Sequence, residues 1–141
     1  MKKSLLIISV LICLSCKNTP ENIPISGTWK MVYAEIIEND TIQIKDLQHT
    51  EFIKIINDSH FAFFNQNINS NAHFYSGAGS YVLNGRDYEE VLSYTNSEAI
   101  KNQTFSFKIQ MKGDTLIQTG IEKIEAAGIN RTITEKYIKI N

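Results

Sequence analysis

From residue 27 onward, apolar and polar side chains alternate in short runs that end at turn residues. Successive side chains of a strand point to opposite faces, so these runs predict β-strands buried on one face. The first predicted strand opens at Gly27 and stops at Asn39-Asp40. The others are residues 51–56, 60–64, 73–83, 87–95, 104–112, 115–121 and 132–140. Residues 41–50 fit either a short strand or a turn.

The connections between these runs are short. Asn84-Gly85, between two alternating runs, is a strong hairpin signal, and Gly113-Asp114 marks another tight turn. No part of this region has the period of a helix longer than about two turns. Evenly spaced strands joined by hairpins predict an all-β fold, a small antiparallel up-and-down β-barrel of about 8–10 strands. Closure of the barrel removes the sheet edges that otherwise promote aggregation.

The first 16 residues, MKKSLLIISVLICLSC, have the pattern of an export signal. Lys2 and Lys3 precede an apolar run over residues 5–14, which is shorter than the roughly 20 residues that a transmembrane helix needs. The run ends in Leu14-Ser15-Cys16, which resembles the lipobox of bacterial lipoproteins, although Cys13 stands where an aliphatic residue is usual. The resemblance implies that Cys16 is lipidated and becomes the mature N-terminus. The alternative is an ordinary secreted protein that is cut nearby.

These features divide the chain into three predicted segments. Residues 1–15 form a signal peptide, residues 16–25 the lipidated Cys16 and a spacer, and residues 26–141 the barrel domain. Pro20 and Pro24 favour an extended spacer. Each buried methylene contributes about 0.8 kcal/mol, so the two or three acyl chains of a lipoprotein form a stable anchor. The expected location is the cell envelope, with the exported protein held by lipid at the outer membrane or the periplasmic face.

Composition excludes several classes of protein. Of 141 residues, 43% are hydrophobic and 10% aromatic, which is enough for a packed core. Removal of residues 1–15 leaves 12 basic against 15 acidic side chains, a net charge of −3, which is the wrong sign for binding nucleic acid. Both cysteines lie within the first 16 residues, so no disulfide framework or cysteine zinc site is expected in the barrel.

Several short segments together carry a family resemblance. Gly27-Thr28-Trp29 resembles the Gly-x-Trp signature of lipocalins and the wider calycin superfamily, in which the Trp packs across the closed end of the barrel. The segments that follow resemble the lipocalin-like domain of small bacterial envelope lipoproteins, whose function is mostly unassigned: residues 52–61, 77–81, 88–90 and 113–120. The resemblance spans about residues 26–140. It implies that a basic residue near the last strand packs over Trp29, and the candidates are Arg131, Lys136 and Lys139.

Two neighbouring strands favour an apolar interior that contains one carboxylate. Tyr88, Glu90, Leu92 and Tyr94 share a strand face, and Phe105, Phe107, Ile109 and Met111 share another. If Glu90 points inward, it needs a partner such as Arg131, Lys136 or a tyrosine hydroxyl; the alternative is a solvated position near the barrel mouth. The predicted ligand-binding residues are Tyr81, Tyr88, Glu90, Tyr94, Phe105 and Phe107. The pattern does not decide whether this wall encloses a cavity or a filled core.

Motifs for catalysis or metal binding are missing from the sequence. His49, His60 and His73 lack the close spacing of metal ligands. The serines of Ser76-Gly77-Ala78-Gly79-Ser80 do not form a nucleophile elbow, and the segment has no phosphate-loop lysine. Strand curvature or close backbone approach explains its small residues. No catalytic residue, cofactor or metal is therefore predicted.

The leading hypothesis is a lipid-anchored barrel, not an enzyme, that binds a small apolar or amphipathic molecule. The alternative is a solid barrel that acts as a scaffold or contacts a protein partner, with loops 65–72 and 95–103 as candidate contact sites. The sequence identifies neither the ligand nor such a partner.

Overall fold

Nine strands and one short 3₁₀ helix form the part of the chain that the computed structural model describes, residues 23–70 and 72–140. The predicted signal peptide, Cys16 and most of the spacer lie outside these residues. The strands are β1 (Gly27–Glu38), β2 (Thr41–Ile44), β3 (Thr50–Ile56), β4 (His60–Asn67), β5 (Tyr75–Asn84), β6 (Asp87–Tyr94), β7 (Thr104–Lys112), β8 (Thr115–Ile124) and β9 (Ile129–Ile140); the 3₁₀ helix is Glu125–Ala127.

Eight of the strands close into an antiparallel barrel. Strands β3 to β9 pair in chain order, and β1 pairs with both β3 and β9. The ninth strand, β2, forms a hairpin with the second half of β1. The predicted all-β, up-and-down barrel is therefore confirmed, and the ambiguous residues 41–50 contain the extra strand followed by a turn.

Several strands are longer than the sequence pattern predicts. Strand β4 continues to Asn67, and β8 and β9 together replace most of the predicted loop near residues 126–128. Only the 3₁₀ helix remains between them, and Gly128 ends it with a φ of 65°. This left-handed conformation suits glycine and lets β9 pair directly with β8.

Strand β1 changes its neighbour partway along. Its first residues, 27–30, pair with β3, and residues 35–38 pair with β2. A bulge between Met31 and Tyr33 interrupts its ladder with β9. Bulges bend a strand and increase its twist. The second half of β1 can therefore separate from β3 and pair with β2 instead.

The small residues of β5 allow close packing against β6. A Cβ atom added to Gly79 would lie 1.8 Å from the carbonyl oxygen of Val91, and the register shifts between Ala78 and Gly79. At Gly77 an added Cβ would meet the side chains of Phe63 and Leu92. Close backbone approach, one of the two explanations that the sequence offers for the small residues, is therefore confirmed at Gly79.

Trp29 packs at one end of the barrel, which we call the closed end. Its Nε1 donates a hydrogen bond to the Ile25 carbonyl oxygen at 2.7 Å. Lys139 Nζ lies 5.6 Å from the centre of the Trp29 ring and donates to the Ser26 carbonyl oxygen at 2.8 Å. Lys139 is therefore the basic residue over Trp29. The other two candidates lie elsewhere: Arg131 pairs with Glu122, and Lys136 lies over the Tyr33 ring.

Candidate functional site

The half of the barrel opposite Trp29 is hollow. A cavity of about 310 Å³ lies between the strands, within the size range of small-molecule sites. Its apolar wall comes from strands on all sides of the barrel: Met31, Ala34, Ile36, Phe52, Phe61, Phe63, Leu92, Phe105, Phe107, Ile124, Ile129 and Ile133. The rim includes Thr95, Asn96 and Ile100, so the segment that follows β6 lies at the mouth.

The other half of the barrel is filled by side chains. The buried residues that occupy the closed end and do not line the cavity include Trp29, Ile56, Tyr88, Ile109 and Leu116. Burying each large apolar side chain contributes about 1.5–3 kcal/mol. The packed half therefore stabilises the barrel without requiring anything in the cavity. The sequence did not decide between a filled core and a cavity. The barrel has both: a filled core at the closed end and a cavity in the opposite half.

A group of polar side chains forms the floor of the cavity: Lys54, Glu90, Gln118 and Glu135. Lys54 is 3% exposed and forms an ion pair with the Glu90 carboxylate, which also accepts a 2.6 Å hydrogen bond from the Tyr88 hydroxyl. Lys54 Nζ also donates to Gln118 Oε1 at 3.0 Å, and it lies over the rings of Phe61 and Tyr88. The lysine thus links β3 to β6 and β8 through the interior.

Glu135 is the second carboxylate of the floor. It stands opposite Gln118 in the ladder between β8 and β9, and its Oε2 accepts a 2.6 Å hydrogen bond from the Tyr137 hydroxyl. Burial raises the pKa of the Glu135 carboxyl, and the charge of Lys54 and the hydrogen bond from Tyr137 oppose that rise. Burial also raises the pKa of the Tyr88 and Tyr137 hydroxyls, so both remain protonated donors at neutral pH.

Two further polar contacts lie on the wall toward the mouth. Arg131 Nε donates to Glu122 Oε2 at 2.6 Å, and both residues line the cavity. Lys45, which follows β2, donates to the Tyr75 hydroxyl at 3.1 Å and lies 5.9 Å from the centre of the Phe52 ring. Lys45 therefore connects the β1–β2 hairpin to β5 at the rim.

The structure separates the six predicted ligand-binding residues into two groups. Glu90, Phe105 and Phe107 line the cavity. Tyr88 is buried below it and reaches it only through Glu90, and Tyr81 packs on Tyr88 near the closed end. The inward orientation predicted for Tyr94 is wrong, because its side chain is 71% exposed at the end of β6. The ladder with β5 skips Ser93, so a bulge in β6 separates Tyr94 from Leu92 and breaks the strict alternation there.

Glu90 points inward, which is one of the two positions that the sequence left open, but its cation is not one of the predicted residues. It is 7% exposed and so does not have the solvated position that was one alternative. Of the predicted partners, only a tyrosine hydroxyl, that of Tyr88, is correct; the cation is Lys54 rather than Arg131 or Lys136.

Sequence reasoning missed Lys54, Gln118 and Glu135 altogether. For Lys54 a signal existed, because it shares the inward face of its strand with Phe52 and Ile56. Gln118 likewise shares the inward face of its strand with the buried Leu116. Glu135 carried the same signal, because it lies between the buried Ile133 and Tyr137 on the inward face of β9.

No group of three or more His, Cys, Asp or Glu side chains within residues 23–70 and 72–140 is arranged to hold a metal ion. In the same stretches, no helix has the length and apolar character needed to cross a membrane.

Comparison with known proteins places the chain in a family. No curated protein matches it. Residues 24–141, which include all nine strands, match the family described as "Domain of unknown function (DUF4488)". The chain therefore belongs to this family.

Proposed function

We propose that the barrel binds one small apolar or amphipathic molecule in its cavity. The observation that carries this proposal is the cavity of about 310 Å³, which has aromatic and aliphatic walls and a polar floor. Small-molecule sites characteristically combine a mostly apolar surface with a few polar groups that fix orientation. Eight-stranded barrels are wide enough to hold one small ligand.

The closed end supports the relation to lipocalin-like barrels. The Gly27-Thr28-Trp29 signature opens β1, and Lys139 packs over Trp29 as the resemblance implies. In this proposal the chain is a lipocalin-like member of its family, and the open half of the barrel is the binding chamber.

The proposal places this barrel in the cell envelope, attached through lipid on Cys16. Its support is the sequence of residues 1–16, where a basic pair, an apolar run and Ser15-Cys16 follow one another. The proposal includes no enzyme activity: the described residues that line the cavity include no histidine or cysteine, and neither Ser76 nor Thr95 among them is hydrogen-bonded to a carboxylate.

Binding can be tested with the full chain carrying Cys16→Ser, which removes the predicted acylation site. N-phenyl-1-naphthylamine, a neutral apolar fluorophore, is expected to brighten on entering the cavity. Native mass spectrometry of the same protein tests for a ligand retained through purification. A chain that neither enhances the fluorophore nor retains a molecule would contradict the proposal.

A matched pair of substitutions locates the binding. Ala34 is buried on the cavity wall, whereas Ala62 is partly exposed and lies between the inward-facing Phe61 and Phe63, so it points outward. Ala34→Phe is expected to fill part of the cavity and weaken fluorophore binding, and Ala62→Phe to leave it unchanged. Equal binding by both variants would place the fluorophore outside the barrel. Circular dichroism of both variants checks that the barrel is intact.

A further inference from the structure

The cavity floor contains more carboxylate groups than cations. Lys54 is its one cation, and it faces the two carboxylates of Glu90 and Glu135. The ion pair of Lys54 is with Glu90, and its second polar contact is with Gln118. Glu135 forms no ion pair with any residue in the described part of the chain. The Arg131 guanidinium, also on the wall, is paired with Glu122. The two remaining charged residues of the lining are one cation and one carboxylate, Lys45 and Glu35, and each is hydrogen-bonded to a tyrosine hydroxyl.

Acceptor atoms on the floor are left free as well. Lys54 and Tyr88 both bind Oε1 of Glu90, and Tyr137 binds Oε2 of Glu135. Among the described residues, Glu90 Oε2 and Glu135 Oε1 accept no hydrogen bond. Both residues line the cavity. A buried carboxylate gains most from donors that carry charge.

The surroundings limit what such a donor can be attached to. Phe52, Phe63 and Phe105 line the space on the way to the mouth. The apolar part of a ligand fits beside these rings. A small, strongly hydrated ion that has no apolar part would lose its water on entering and gain no apolar contact in return. Burial is the chief cause of the raised pKa of the Glu135 carboxyl, so a further cation beside this group would favour its ionised form.

We propose that the ligand of this cavity is a cationic amphiphile, whose ammonium head is held by Glu135 and Glu90 and whose apolar body lies along the phenylalanines. This inference rests on the proposed function and specifies the ligand class of the same site. The ammonium group supplies the donors that the free carboxylate oxygens need and balances the charge that Lys54 leaves uncompensated. An anionic head would meet the unpaired Glu135 carboxylate and be repelled.

Three ligands that share one tail test the head group. Isothermal titration of the full chain carrying Cys16→Ser with octylamine, octanol and octanoate, near neutral pH, compares a cation, a neutral group and an anion. Octylamine is expected to bind about tenfold more tightly than octanol, because hydrogen bonds to charged groups are the strong ones. Octanoate is expected to bind more weakly than octanol.

A matched pair of substitutions tests the role of Glu135. Glu135→Gln removes the unpaired charge, so the affinity for octylamine is expected to fall about tenfold while that for octanol stays the same. Glu89→Gln makes the same change of net charge at an exposed residue of β6, and both affinities are expected to be unchanged. If Glu135→Gln also weakens the binding of octanol, Glu90→Gln is the second variant. It is expected to show the same loss of preference for octylamine over octanol.

The outcomes separate this inference from the one on which it rests. Binding of octanoate as tight as that of octylamine, or an unchanged amine preference in both cavity variants, would overturn the head-group assignment alone. Ethylamine binding as tightly as octylamine would overturn the apolar part of the assignment. Failure of all three octyl ligands to bind would overturn the proposed function and this inference together.

Discussion

Lys54 Nζ lies 3.0 Å from Gln118 Oε1, so a side chain from β3 reaches β8 through the barrel interior. The same ammonium group pairs with Glu90 on β6. Three strands that are not neighbours in the sheet are thereby connected at mid-depth. Buried ion pairs contribute little when both partners are present, but the loss of one partner leaves a charge without compensation.

Removal of Lys54 is therefore expected to destabilise the barrel strongly. Lys54→Met leaves the Glu90 carboxylate buried without its cation, and the free energy of unfolding is expected to fall by about 3–5 kcal/mol. The double variant Lys54→Met/Glu90→Leu removes both charges and is expected to recover most of this loss. Urea titration followed by the fluorescence of Trp29, the single tryptophan, measures both variants.

The control for this experiment is Lys30→Met. Lys30 pairs with Glu51 on the outer surface, where both side chains are largely hydrated, so little change is expected. A loss equal to that of Lys54→Met would show that a missing lysine, and not a buried unpaired glutamate, causes the effect.

The raised pKa of Glu135 predicts a pH-dependent stability. In the folded protein this carboxyl keeps its proton above the ordinary pKa of 4.5, whereas the unfolded chain releases it there. The unfolded state then binds fewer protons, so the contribution of Glu135 to stability falls as the pH rises from about 4.5 through the folded-state pKa. Glu135→Gln has no such dependence, and its stability relative to the wild type is expected to increase over that range.

Urea titrations of both proteins at a series of pH values check this prediction. Subtracting the free energy of unfolding of one protein from that of the other removes the contribution of every titratable group that the substitution leaves unaltered. Glu89→Gln, on the solvent side of β6, serves as the control and is expected to show a nearly constant difference. A constant difference for Glu135→Gln would contradict the prediction.

Gly79 is expected to tolerate no side chain. An added Cβ would lie 1.8 Å from the Val91 carbonyl oxygen, so Gly79→Ala must move β5 away from β6, at a cost of about 3 kcal/mol or more. Gly128 has a φ of 65° but nothing within 4 Å of an added Cβ, so Gly128→Ala should cost only about 1–2 kcal/mol. Thermal unfolding of the two variants compares these costs, and equal losses would argue against the close approach.

Cys16→Ser is expected to move the protein from the membrane fraction to the soluble fraction with its circular dichroism unchanged. Acyl burial is apolar, and the predicted mature charge of −3, from 12 basic and 15 acidic side chains, gives no attraction to anionic lipid. Salt is therefore expected to leave the wild type bound. If the Cys16→Ser protein is cleaved at another site and still sediments with membranes, lipid attachment at Cys16 is wrong.

The barrel could be predicted because its strands carry local signals. Phe105, Phe107 and Ile109 alternate with polar residues along β7, and Asn84-Gly85 marks the hairpin between β5 and β6. The site is different, because its contacts join residues far apart in the chain. Lys54 and Gln118 are 64 positions apart, and no local pattern relates them.

The depth to which the cavity extends into the barrel also could not be predicted from the sequence. Leu116 and Gln118 occupy the same face of β8, yet one belongs to the packed half and the other to the floor. Depth along the barrel depends on how far each strand is shifted against its neighbours, and the bulges in β1 and β6 change those shifts. Hydrophobic periodicity identifies a face but does not measure this depth.

The contact of Lys139 with Trp29 and Ser26 has a practical consequence for attaching the protein to a tag or a surface. The chain enters the barrel at Gly27 and leaves it at Ile140, and these two points lie side by side at the closed end. A tag, a fluorescent fusion or a chemical linker to a sensor chip can therefore be attached beside either point. In each case the mouth faces away from the support, and immobilised protein is expected to remain accessible to molecules in the flow.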